Sequence, residues 1–130
     1  MFKFGTAINC IDGRTQEAVI GYMKQNQKVD GVDMVTLPGV DGVLSGEHHA
    51  EMDLVKRAVT ISIERHGSSV VAIVGHHDCA GNPGDREHHC AHLRKAVLKV
   101  ASWNFPVQVL GLYVNDKWKI EEIYPQDAIK

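Results

Sequence analysis

Five consecutive apolar residues, Val70-Val71-Ala72-Ile73-Val74, lie between Gly67 and Gly75 and constrain the fold of this chain more than any other segment. A strand with one face in water alternates polar and apolar residues. This run does not alternate, so both of its faces must be covered. That is the pattern of a central strand in a parallel sheet with helices packed on each side. The run is also far short of the ~20 residues that a membrane helix needs.

The flanking segments fit that frame. Lys3 to Cys10 reads as a strand that runs into the turn Asn9-Cys10-Ile11-Asp12-Gly13. Arg14 to Gln27 carries Ala18, Val19, Tyr22 and Met23 at helical spacing, with Thr15 as the expected cap. Val32 to Leu37 reads as a second strand, and Val40 to Gly46 as a loop. Ser45 is then expected to cap a helix from about Glu47 to His66, whose stripe is Met52, Val55, Val59 and Ile63 and whose stop is Gly67. Gly75 to Asp85 reads as a loop, and Arg86 to Ala101 as a helix with Leu93, Ala96, Val97 and Val100 facing inward. Val107 to Val114 predicts a strand, which an Asn115-Asp116 two-residue turn joins to a hairpin partner over Lys117 to Ile123.

The order β-α-β-α-β-α-β-β predicts an α/β fold: a single domain over residues 1–130 with a mainly parallel central sheet of order about 2-1-3-4, an antiparallel edge strand and flanking helices. In such a sheet, functional groups gather at the carboxyl ends of the strands, where the strand order reverses. Cys10 and His76 end the first and third strands, which are neighbours in that order.

Composition narrows the function. A formal net charge of −2 with no basic block gives no footprint for nucleic acid. The N-terminal residues lack the layout of a signal peptide, and no segment suits a membrane, so a cytoplasmic protein is expected. Three cysteines in a reducing compartment, with a histidine close by in the fold, read better as metal ligands than as a disulfide scaffold. His76 and Cys79 form an H-x-x-C pair on the loop after the buried strand, and Cys10 would join them through tertiary folding. Two thiolates and an imidazole suit Zn²⁺ as the cofactor, and three protein ligands leave a fourth position open, as in catalytic rather than structural sites.

Cys10-Ile11-Asp12-Gly13-Arg14 fits C-x-D-x-R, and Gly75-His76-His77-Asp78-Cys79 fits G-H-x-x-C. In these two motifs, and in their placement after the first and third strands, the chain resembles the β-class carbonic anhydrases. The resemblance runs from about Lys3 to Gly81 and more weakly over Val107 to Tyr124. It implies zinc held by Cys10, His76 and Cys79, with Asp12 and Arg14 as a catalytic dyad in which arginine holds the carboxylate. It implies reversible hydration of CO₂ to bicarbonate by zinc-bound hydroxide, and a homodimer or higher homo-oligomer. Two features depart from the family pattern. The family's N-terminal helical arm, which wraps a neighbouring subunit, is expected to have no counterpart here. The turn Leu37-Pro38-Gly39-Val40 keeps a glycine but not the polar side chains of the family's Asn-Ala-Gly-Asn-like turn.

Other readings share the same ligands. One is hydrolysis of a CO₂ isostere such as carbonyl sulfide or carbon disulfide, and another is a catalytically silent zinc-binding protein of the same fold. His88, His89, Cys90 and His92 crowd the start of the third expected helix, with His88 and His92 one turn apart. They are candidates for a solvated face, a proton shuttle at the site mouth or a second metal site. His48 and His49 read as solvated residues, and His77 as directed away from the metal.

Overall fold

In a computed structural model, which describes residues 1–46 and 49–123, the central strand is where the sequence puts it. The elements are β1 (Phe4–Asn9), α1 (Gln16–Asn26), β2 (Gly31–Thr36), α2 (Val40–Ser45), α3 (His49–His66), β3 (Val70–His76), α4 (Arg86–Ala101), β4 (Gln108–Val114) and β5 (Ile120–Ile123). The sheet order is β2-β1-β3-β4-β5. All pairings are parallel except β4 with β5. The chain is thus an α/β domain with a mainly parallel five-stranded sheet, and the strand order reverses between β1 and β3.

Every residue of β3 is buried. Val71 and Ile73 face a core that also holds Val55 and Val59 of α3 and Leu93 and Val97 of α4. Val70, Ala72 and Val74 face the opposite core, with Val19 and Met23 of α1. Each large aliphatic side chain so enclosed contributes about 1.5–3 kcal/mol, which is why a run without alternation can afford no polar residue. No described helix is long and apolar enough to cross a membrane.

Three local expectations are corrected. The stretch Val40 to Ser45 is the helix α2 rather than a loop. Val40 and Leu44, one turn apart and both buried, hold it against the core despite the glycines around it. Ser45, the expected cap of the following helix, is instead the last residue of α2 and donates its hydroxyl to the Gly42 carbonyl at 3.0 Å. The β4–β5 connection is longer than a two-residue turn, because Val114 pairs with Ile120 and leaves Asn115 to Lys119 as the loop. Asn115 Oδ1 accepts from the backbone N–H groups of Lys117 and Lys119 at 3.0 and 3.1 Å, and Trp118 takes a left-handed conformation with φ 58°.

Thr15 occupies the N-cap position of α1 without capping through its side chain. Its hydroxyl donates instead to the Asp12 carbonyl at 2.9 Å. The start expected for α3 at Glu47 lies outside the described residues.

Candidate metal centre

The site forms where β1 and β3 end side by side. Cys10 follows the last residue of β1, His76 is the last residue of β3, and Cys79 lies three residues further on. The turn after β1 is laced in place by Gln16, whose Nε2 donates to the carbonyls of Cys10 and Asp12 at 2.9 and 3.0 Å. In the turn after β3, Asp78 adopts the left-handed conformation, with φ 56°.

The ligand atoms of Cys10, His76 and Cys79 all lie within 4.8 Å of one another, and all three residues are buried. The two sulfurs are 3.9 Å apart. Thiolates that share one tetrahedral zinc at ~2.3 Å stand roughly 3.8 Å apart, so the spacing already suits one ion. His76 Nδ1 donates to the His77 carbonyl at 2.7 Å, which leaves Nε2 as the lone-pair nitrogen. That Nε2 is buried and has no hydrogen-bond partner. A buried orphan acceptor costs about 1–3 kcal/mol unless something takes its lone pair. A cation between it and the two sulfurs would do so, and the donor set fits Zn²⁺. The cysteines are free thiols. Burial pushes the Cys79 thiol up to about 11, partly offset by the backbone N–H of Asn82, so a bound cation is what would hold it as thiolate.

Arg14 grips Asp12 on both oxygens, with Nη2 donating to Oδ2 at 2.7 Å and Nε to Oδ1 at 3.1 Å. The same guanidinium donates to the Asp78 carboxylate at 3.2 Å and the Asp78 carbonyl at 3.1 Å, so it ties the Cys10 turn to the Cys79 turn. The Trp118 ring lies 4.6 Å beneath it. The Arg14 hydrogen bond brings the Asp12 carboxyl down to about 2, which keeps it ionised throughout the physiological range.

The expected residues divide into two groups. Cys10, His76, Cys79, Asp12 and Arg14 are brought together. His88 and His92 are hydrogen-bonded to Asn82 rather than to any of those five: His88 Nε2 donates to Asn82 Oδ1 at 2.8 Å, and Asn82 Nδ2 donates to His92 Nδ1 at 3.0 Å. His77 is exposed and meets the edge of Trp118. His48 and the His49 side chain lie outside the described residues.

Sequence reading singled out Gly39 only as a kept turn residue, and missed Asp41 and Asn82. The backbone N–H of Gly39 donates to Cys10 Sγ at 3.4 Å. Asp41 is buried and accepts from His89 Nδ1 at 2.6 Å and Asn82 Nδ2 at 2.9 Å. An acidic residue inside the Val40/Leu44 pair was the available clue.

Residues 1–124 match the family model described as "Putative carbonic anhydrase". The chain belongs to this family. No curated protein sequence matches it. Among solved structures, it is similar to the β-carbonic anhydrase of Aspergillus fumigatus, with TM-score 0.61 and 14% identity over 98% of this chain and 79% of that one. A carbonic anhydrase from Glaciozyma antarctica matches with TM-score 0.57 and 15% identity, over 92% of this chain and 81% of the other. A structure from a study of two tetrameric β-carbonic anhydrases of Sordaria macrospora matches with TM-score 0.51 and 15% identity, over 94% and 80% of the respective chains. At such identities the likeness shows a shared fold. The expected family, carbonic anhydrase, and the predicted strand order are both borne out.

Proposed function

We propose that this carbonic anhydrase family member is a zinc enzyme that reversibly hydrates CO₂ to bicarbonate. The observation that carries this reading is the orphaned, buried Nε2 of His76 beside two buried thiols. Cys10, His76 and Cys79 would hold the ion, and three ligands leave a coordination position for water. When bound, zinc supplies acidified water, with a pKa near ~7, as the nucleophile for CO₂.

The other residues act around that position. Asp12, ionised and fixed by Arg14, is a hydrogen-bond acceptor whose direction is set before substrate arrives. Arg14 neutralises that carboxylate and keeps it from ligating the metal. Burial, then the nearby His88, pushes the His92 pKa below its ordinary value, so at neutral pH its ring is uncharged. His92 lines a cleft of about 260 Å³ with Gly39, Gly81 and Asn82, and in this reading it passes the product proton to solvent together with His88.

Stopped-flow hydration of CO₂ by zinc-loaded protein, followed with a pH indicator from pH 7 to 9, tests the proposal. An uncatalysed rate would overturn it. Asp12→Ala should keep its zinc and lose about 10- to 100-fold in rate; loss of the metal instead would make Asp12 a ligand. His92→Ala should slow turnover at low buffer concentration and recover when buffer is raised. A deficit that buffer does not relieve would remove His92 from the proton path.

The chain is further read as a homo-oligomer. Ile11, next to Cys10, is 60% exposed, an apolar surface at the site mouth that a second copy would cover. Light scattering at micromolar concentration should give at least twice the 14.4 kDa chain mass, and a monomer would refute the assembly.

A further inference from the structure

Asp41 is 1% exposed, lies on α2, and contributes nothing to the ligand set. A buried carboxylate is costly unless its oxygens are fully hydrogen-bonded. Here they are: Oδ1 accepts from the Gly42 N–H and from Asn82 Nδ2, both at 2.9 Å, and Oδ2 accepts from His89 Nδ1 at 2.6 Å. Room for it exists because Gly75 has no side chain. A Cβ there would stand 2.5 Å from Asp41 Oδ2 and 3.3 Å from His89 Nδ1.

The amide of Asn82 is fully specified by this arrangement. Its nitrogen faces the Asp41 carboxylate and His92 Nδ1, and its oxygen accepts from His88. Its backbone N–H is hydrogen-bonded to Cys79. Across the site, the Gly39 N–H is hydrogen-bonded to Cys10 Sγ. The two turns touch: a Cβ on Gly39 would meet Gly81 C at 2.5 Å. Asp41 sits between them, two residues after Gly39 and hydrogen-bonded to Asn82.

We propose that Asp41 is a positioning residue for the metal centre. Through Asn82 and the Gly39–Gly42 turn it fixes the N–H groups that are hydrogen-bonded to the two thiolates, and so sets how much charge the sulfurs give to the metal. This rests on the zinc reading above. Two thiolates and a neutral imidazole cancel the charge of a divalent ion, which would leave its water poorly acidic. Hydrogen bonds to sulfur withdraw part of that charge and restore Lewis acidity. The groups that face Asp41 are His89 directly and, through Asn82, His88 and His92.

The test uses cobalt(II) in place of zinc, because sulfur-to-cobalt charge transfer reports thiolate electron density without any turnover. Asp41→Asn and Asn82→Ala should each still bind one cobalt per chain. Each should move the charge-transfer band to longer wavelength, raise the pH midpoint of CO₂ hydration in the zinc form, and weaken zinc binding about 10-fold. Asn82→Ala leaves the Asp41–His89 pair intact, so it decides the matter if Asp41→Asn does not fold. A folded Asn82→Ala protein with the wild-type band, midpoint and zinc affinity would overturn the proposal. Absence of any sulfur-to-cobalt band in the unmutated protein would overturn it together with the metal assignment, and that failure shows before a variant is made.

Discussion

Cys79→Ser is expected to purify without metal, and the unmutated chain with one zinc. The substitution keeps the size of a buried residue but replaces a thiolate with a hydroxyl that stays protonated and is a poor zinc ligand. Two ligands then remain, Cys10 and His76, on separate strand ends. Structural zinc sites supply roughly 10–16 kcal/mol in total, so one thiolate of such a set is worth about 3 kcal/mol or more, an affinity loss of at least ~100-fold. Metal analysis reads this directly. A melting experiment reads it independently, since zinc at ~1,000 times its Kd stabilises a protein by about 4 kcal/mol. Added zinc should therefore raise the Tm of the unmutated chain and leave Cys79→Ser where it was. A variant that retains full zinc would show that the ion is held elsewhere.

Gly39→Ala should destabilise the fold by about 3 kcal/mol or more. Gly39 has φ 56°, and an added Cβ would lie 2.5 Å from Gly81 C and 2.7 Å from Asn82 N, both backbone atoms. The left-handed conformation alone costs a non-glycine residue roughly 1–2 kcal/mol. Forcing apart two packed turns adds about 1–3 kcal/mol. Gly67→Ala separates the two effects, because Gly67 has φ 72° with nothing within 4 Å of its Cβ position. It should lose only the conformational part. Urea midpoints of the two variants give the difference, and equal losses would show that the Gly39–Gly81 contact is not tight. Because Gly39 also donates to Cys10, its variant should bind zinc more weakly, whereas Gly67→Ala should not.

The parts of the chain that were legible in the sequence are those where one physical demand dominates. Val70 to Val74 could only be a strand covered on both faces. Cys10 and His76 come together because the parallel order makes β1 and β3 neighbours, and Cys79 follows on the loop after β3. Residues that answer to several demands at once were not legible. The α2 helix has six residues, too few for a periodic stripe, and its glycines read as loop punctuation. What makes it helical is the burial of Val40 and Leu44 by segments distant in sequence. Asp41 is invisible for the same reason, since its partners His89 and Asn82 are 48 and 41 positions away. The β4–β5 loop misled because the Asn115 side chain, rather than an Asn-Asp dipeptide, organises the turn.

Cys10 and Cys79 are 69 positions apart, and all three cysteines are free thiols. An ion held by both therefore acts as a cross-link across half of the chain. In the chain-entropy description, closing a loop of this length removes about 4 kcal/mol of disorder from the unfolded state. A small protein without a disulfide would gain a reversible staple in this way, formed and released by metal supply rather than by oxidation.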